Sequence, residues 1–379
     1  MRYARVVGLP ALLLLLAGPA LAQGRWSGRT AMFYESYTFG AGLVFDRVSE
    51  MTVPIGLNVG LGRLGAVALS SGYARVDLRS TDTTLGDQQL SGLLDTEARL
   101  SVNLIPGKLV MLMTGAIPTG IKTVAQKELS ILGALSSDVV GFAASNLGSG
   151  GNVGGGVVGA IPLGRWAAGF GLTFKQPMGY APVLGEDAQL KPGTEMRLRA
   201  GLEGTLARRT YLRTAAILAR TSKDRIAFAG VDSTRNGVGN RLITYLSVNQ
   251  GIKSLSLTAY AFDVLRGDPQ IEQTAVGAAV LPRGNVLAVG GRLDAPLGAA
   301  TTVAPNAEWR LSQAAPDAAG SALQRLGASV RFGLDVRHRL ARSASLVLQG
   351  AGTSGHIMQA DQRVSISGYR LALHLELSP

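Results

Sequence analysis

The 379-residue sequence contains no cysteine, which excludes disulfides and thiolate-ligated metal sites. Charge is scarce: 16% of residues are Asp, Glu, Lys or Arg, against the roughly 25% of an ordinary soluble domain. Aromatic residues make up only 6%. After residue 22 no apolar run approaches the ~20 residues that a membrane-spanning helix requires, which excludes a helical bundle in lipid. A hydrophobic fraction of 46% equally excludes a disordered chain, since so much apolar surface does not stay solvated. The chain is apolar in sum and nowhere apolar for long.

The opening segment stands apart. Arg2 and Arg5 precede an apolar run from Val6 to Leu16, and Ala20-Leu21-Ala22 supplies small residues where a signal peptidase reads. The pattern predicts a cleaved signal peptide over residues 1–22 and a mature chain over residues 23–379. Loss of Arg2 and Arg5 lowers the formal charge from +12 to +10. For an exported basic protein, nucleic acid is not an expected partner, and anionic lipid or lipopolysaccharide is.

Beyond the signal the dominant period is two. Met51, Val53, Ile55, Leu57, Val59 and Leu61 alternate with Thr52, Pro54, Gly56, Asn58 and Gly60. Leu94, Ala98, Leu100, Val102 and Leu104 alternate with Asp95, Glu97, Arg99, Ser101 and Asn103. The pattern returns in Trp166–Lys175, Glu195–Leu206, Ala328–Arg339 and Tyr369–Leu377. These segments run about 10 to 14 residues, the reach of a tilted strand across a bilayer and about twice a typical globular strand.

Connections alternate in length. Tight turns are predicted near Gly62-Arg63, Pro106-Gly107, Gly164-Arg165, Arg208-Arg209, Gly251-Ile252, Gly298-Ala299 and Arg342-Ser343. Long polar loops are predicted between them, including Gly120–Gly151, Gln176–Pro192, Ser222–Gly239 and Gly355–Arg363. The reading is an all-β, transmembrane, antiparallel up-and-down barrel of about 16 strands, with 14 as the lower bound, beginning near Ala31–Tyr37. A short helical insertion is expected in one extracellular loop, because Leu129, Leu132, Leu135, Val139 and Phe142 recur at helical spacing. That segment either narrows the barrel mouth or caps the outside. Glycines within strands permit close backbone approach. Trp166 and Trp309, joined by Tyr211 and Tyr369, are candidates for interfacial girdles.

The most informative residues are the charges that alternation turns inward: Asp95, Glu97, Arg99, Lys175, Glu195, Arg197, Arg199, Glu203, Arg241, Arg292, Asp294, Glu308, Arg310, Arg331, Asp335, Arg337, Arg339, Arg370 and Glu376. Arginine exceeds carboxylate, so an open lumen lined by them favours anionic solutes. They would serve equally to pair across neighbouring strands and stiffen a narrow barrel. Catalysis has little to draw on. The three histidines, His338, His356 and His374, are dispersed, and His356 beside Ser354 in a loop lacks an orienting partner. No metal ligand set stands out, and neither a cofactor nor an enzyme is expected.

From residue 23 onward the chain resembles the outer-membrane β-barrel proteins of Gram-negative bacteria. Tyr369, Leu371, Leu373, Leu375 and Leu377 reproduce the alternating apolar positions that the barrel-assembly machinery recognises, although Leu377-Ser378-Pro379 replaces the usual final aromatic. The segments Gly92–Arg99, Gly115–Gly120 and Leu163–Gly171 further resemble the transporter-type barrels of phenol-degradation meta-pathways, grouped with hydrophobic-solute channels. The resemblance implies an outer-membrane channel passing small solutes by diffusion. The alternative is a non-conducting structural or adhesion barrel acting through its long extracellular loops.

Overall fold

The computed structural model describes residues 26–377 apart from 85, 229–230, 272–281, 316–321 and 360–361. The segment predicted to be a signal peptide, residues 1–22, and the last two residues lie outside the described part.

Sixteen strands form one closed antiparallel barrel. They are β1 (Trp26–Phe39), β2 (Phe45–Gly60), β3 (Gly65–Ser80), β4 (Gln88–Leu93 continuing as Thr96–Ile105), β5 (Leu109–Ile117), β6 (Asn152–Leu163), β7 (Trp166–Pro177), β8 (Glu195–Ala207), β9 (Thr210–Thr221), β10 (Arg241–Ile252), β11 (Leu255–Arg266), β12 (Gly284–Leu297), β13 (Thr301–Ala314), β14 (Gln324–Ala341), β15 (Ala344–Gln359) and β16 (Gln362–Leu377). Each pairs with its neighbours in sequence. β1 closes the ring on β16 in continuous register from Gly28 opposite Leu377 to Phe39 opposite Ile366. Closure leaves no sheet edge, which hydrocarbon requires because an unpaired backbone group there costs several kcal/mol.

The pairing register assigns every side chain to one of two faces. Met196, Leu198 and Leu218 point outward and remain exposed in the isolated chain, as do Met113, Ile161, Phe174, Phe332 and Leu371. Between them, Glu195, Arg197, Arg199, Gly201 and Glu203 of β8 share the inward face with Thr173 and Lys175 of β7. An apolar exterior around a polar interior is the inverse of a soluble domain and is the form a barrel takes in lipid. Both ends of the barrel chain meet at the rim formed by the short turns, and the long loops rise from the opposite, extracellular rim. Gly154 and Gly156 of β6 face inward where an added Cβ would lie 2.5 Å from the Phe174 carbonyl and 2.2 Å from that of Leu172, so the close β6–β7 approach demands glycine. Gly155 and Gly159 fall on the outward face of the same strand.

Several local expectations are corrected. The first strand starts earlier, at Trp26. The turn expected at Gly251-Ile252 shifts to residues 253–254, where Lys253 takes a positive φ of 54°. Most of the loop expected over Gly355–Arg363 is strand, since β15 runs to Gln359 and β16 begins at Gln362. The break in β4 reverses the alternation, so Leu94 packs inward with the buried apolar cluster rather than toward lipid. Tyr211 lies on the inward face with Arg213, not in an outer girdle. Outside the barrel, short strands Ala188–Lys191, Asp224–Phe228, Val231–Gly237 and Gln270–Ile271 pair into a small extracellular sheet.

The two faces predict different responses to charge. Leu202→Arg, with its side chain in lipid near the middle of β8, should destabilise the folded barrel by about 2–4 kcal/mol, whereas Thr173→Arg on the inward face should cost under ~1 kcal/mol. Urea midpoints in phospholipid vesicles measure both, and equal losses would contradict the assignment of faces.

Candidate functional site

The connection between β5 and β6, residues 118–151, does not cap the barrel from outside. It folds into the lumen. A single 3-10 turn (Gln126–Glu128) leads into helix α1 (Leu129–Leu135), and the Glu128 carboxylate accepts from the Ala125 N–H at 2.8 Å. Ile131, Ala134 and Leu135 of the helix, with Val139, Val140, Phe142, Ala144 and Leu147 after it, are buried in one cluster with the inward residues Tyr37, Val48, Val76, Leu78, Leu90, Val364 and Ile366. Leu129, at the start of the expected apolar stripe, remains exposed. The loop therefore lies along the wall formed by β16, β1, β2, β3 and β4.

Beyond the helix the loop backbone is bound group by group. Arg310 donates to the Asp138 carbonyl at 3.3 Å, Ser329 to that of Val139 at 2.8 Å, Arg331 to Val140 at 2.8 Å and Arg370 to Gly141 at 2.7 Å. Two carboxylates then receive consecutive N–H groups, Glu35 from Ala143 at 2.6 Å and Glu50 from Ala144 at 2.8 Å. At the loop ends Asp95 accepts from the Gly120 N–H at 3.0 Å and the Ser149 N–H at 2.8 Å. Arg266 on β11 reaches the Asp138 carboxylate at 3.2 Å.

Glu35 is the hub of this attachment. Its side chain is 0% exposed and accepts from Arg370 at 2.7 Å and Tyr37 at 2.9 Å in addition to Ala143. Edge-on packing of Phe142 against Tyr37, ring centroids 5.2 Å apart, completes the contact.

The charges read from the sequence fall into three groups. Arg310, Arg331 and Arg370, with Asp95, hold the loop; Glu308 pairs with Arg310 at 3.0 Å and accepts from the Tyr260 hydroxyl at 2.9 Å. Glu97, Arg99, Arg337, Arg339 and Glu376 line a cavity of about 1020 Å³ at the periplasmic end. Above it, Arg292 bridges Asp294 and Asp335. The last group lies across the lumen from the loop anchors: Lys175, Glu195, Arg197, Arg199 and Glu203 on β7 and β8. Glu195 is shared by Arg197 and by Arg241 of β10, and Glu203 pairs with Arg213 at 2.8 Å. Among the described residues, Lys175 and Arg199 make no ion pair. Arg197 and Arg241 keep about a third of their side-chain surface in contact with solvent, 38% and 33%.

Glu35, Glu50, Tyr37, Arg213 and Arg266 were not singled out in the sequence. Extending the alternation of Met51–Leu61 upstream would have placed Glu50 inward, but β1 has apolar residues on both faces, and nothing local marks Glu35. The histidines do not form a reactive group. His356 and Ser354 stand within β15 on its outward face, while His374 faces inward against Gln349 at 2.8 Å and the ring of Phe33. No cluster of His, Asp or Glu among the described residues is arranged to hold a metal.

The closed wall and its apolar exterior define an outer-membrane β-barrel of porin-like architecture, with lipid around it and the long-loop rim facing outward. No family model and no curated protein matches the sequence. Among solved structures the chain is similar to a loop-deletion form of OmpT, an outer membrane protein of Vibrio cholerae, at 10% identity and TM-score 0.44, covering 94% of this chain and 99% of that one. It is similar to Pseudomonas aeruginosa OpdL at 13% identity and TM-score 0.46, with 94% and 99% covered. Acinetobacter baumannii OccAB3 shows 8% identity and TM-score 0.46, with 95% and 100% covered. Likenesses this distant leave the architecture to rest on the strand pairing itself.

Burial decides which ion pair matters. Arg370→Met strands the Glu35 carboxylate without its cation and should lower stability by about 3–5 kcal/mol. Arg337→Met, whose pair with Glu376 is about half exposed (54% and 45%), should cost no more than ~1 kcal/mol. Unfolding midpoints in vesicles test this, and a loss at position 337 as large as that at 370 would contradict it.

Proposed function

We propose that the protein is an outer-membrane channel through which small solutes diffuse passively, and that the inserted loop confines their path to one side of the lumen. The observation that carries this reading is the asymmetry of the interior. Side chains on β1, β2, β13, β14 and β16 bind the loop, Glu35, Glu50 and Ser329 among them buried, while the wall from β6 to β10 presents small residues and solvent-accessible cations. A solute passing between them meets Lys175, Arg197, Arg199 and Arg241 on the wall, and the exposed Ser136, Asp138, Ser145 and Asn146 on the loop. Cations with few carboxylates beside them favour an anionic solute.

The pairs Arg292–Asp335 and Arg337–Glu376 set each cation beside a carboxylate on the opposite wall. On this reading residues 1–22 direct export and are removed, and the alternating apolar positions of β16 present the chain to the barrel-assembly machinery.

Planar-bilayer recording tests the proposal. The wild-type chain should give stable conductance steps with anion preference, and Arg197→Glu/Arg199→Glu should move the reversal potential several-fold toward cation permeability. Absence of conductance at any applied voltage would favour the non-conducting barrel, and an unchanged reversal potential would show that these arginines do not face the path.

A further inference from the structure

Apolar residues also line a part of the lumen away from the wall that anchors the loop. On β9 to β12 the pairing register sets Ile217, Ile243, Val264 and Val286 directly opposite one another in one row, and Ala215, Tyr245, Phe262 and Ala288 in the next. Both rows face inward, since Leu218, Leu242, Leu246 and Leu265, which alternate with them, are exposed toward lipid. Val286 and Ala288 are buried, but Ile217, Ile243, Tyr245, Phe262 and Val264 are only half-buried. A contiguous apolar patch left partly open inside a polar lumen marks a surface that a ligand covers.

Cations border this band. One step toward the extracellular rim, Arg197, Ala219, Arg241 and Arg266 form a parallel row. Arg197 and Arg241 share Glu195, and Arg266 reaches Asp138, so the row is fixed in place. At one end of the band the exposed Arg199 stands directly opposite Ile217. At the other, Arg310 stands opposite Ala288, its guanidinium 5.8 Å from the centre of the Phe262 ring. Over Phe262, Val264 and Val286 the loop leaves a cavity of about 250 Å³, and Leu135 and Phe142 form its far side. Apolar side chains thus face each other across a space with a guanidinium at its edge.

We propose that this band is a subsite for organic anions that carry an apolar body, an alkyl or aryl group attached to a charged head. The body lies on Ile217, Ile243, Tyr245 and Phe262 and reaches the cavity beside Phe142, while the head stays with Arg199 and the cation row. A wholly hydrated anion of equal charge meets the same cations but leaves the band uncovered. Discrimination between the two therefore comes from the apolar area that the body removes from water. The proposal deepens the channel reading and rests on it for the solute's route into the lumen.

The test measures binding by saturation-transfer NMR, with the full mature chain in nanodiscs and protein-free nanodiscs as blank. The probes are methanesulfonate and butanesulfonate, which share one head and differ in apolar body. Wild type should hold butanesulfonate about tenfold more tightly, and Ile243→Asn/Phe262→Ser should lose most of that difference. Leu218→Thr, facing lipid, should keep it. Heat-modifiable migration reports folding, and Ile217→Thr should give a partial loss if the double variant does not assemble. Equal binding of the two sulfonates by wild type, or an undiminished preference in the band variants, would overturn the proposal. Conductance separates this outcome from failure of the channel reading. Absent conductance with the preference intact would overturn that reading and leave the subsite standing, whereas anion-selective conductance without the preference would overturn the subsite alone.

Discussion

Hydrocarbon offers backbone N–H and C=O groups no hydrogen-bonding partner, and the rest of this structure follows from that constraint. Each strand must find partners on both sides, so the sheet closes on itself through β1 and β16. Once it is closed, strand alternation divides the side chains into two populations with opposite requirements. The outward set must be apolar because it meets lipid. The inward set is free to be charged, and in a chain with so few charges most of those in the barrel strands are gathered there. Low overall charge and a polar interior are therefore two aspects of one arrangement.

Inside the wall a second requirement operates. A ring of sixteen strands encloses more space than its own side chains fill, and the 118–151 segment occupies part of it. Its apolar half is held by burial against Tyr37, Val76, Leu78 and Ile366. Its polar backbone, once removed from water, needs partners as surely as a strand in lipid does. Arg310, Ser329, Arg331 and Arg370 satisfy consecutive carbonyls, and Glu35 and Glu50 satisfy consecutive N–H groups. Two of the three groups of inward charge differ in what surrounds them. Those buried against the loop are structural, because removing one leaves a charge or backbone group unsatisfied. Arg197 and Arg241 on the β8 and β10 wall retain solvent, and under the proposed function they are what a passing ion would meet.

The faces of the barrel were legible in the sequence wherever lipid lies on one side and water on the other. Met51–Leu61, Trp166–Lys175 and Ala328–Arg339 each read correctly from alternation alone, because that contrast imprints a period of two. The break at Leu94–Asp95 was not legible. The letters alternate straight through it, and only the partner strand β3 shows that the faces exchange. Helical spacing from Leu129 to Phe142 announced a helix but not its destination. The loop's fate depends on Glu35 and Arg370, which are separated by 335 residues and brought together only by closure of the ring. Local pattern carries no record of a contact made at that distance.

The structural task of the charges inside the barrel thus rests on the loop being seated within the wall. Hydrogen–deuterium exchange of the membrane-embedded chain measures this directly at residues 138–144. If the loop is bound as described, the amides of Ala143 and Ala144 should exchange as slowly as those of the barrel strands beside them. Exchange at the rate of an open surface loop would show that the segment lies outside, and the asymmetric lumen would no longer hold.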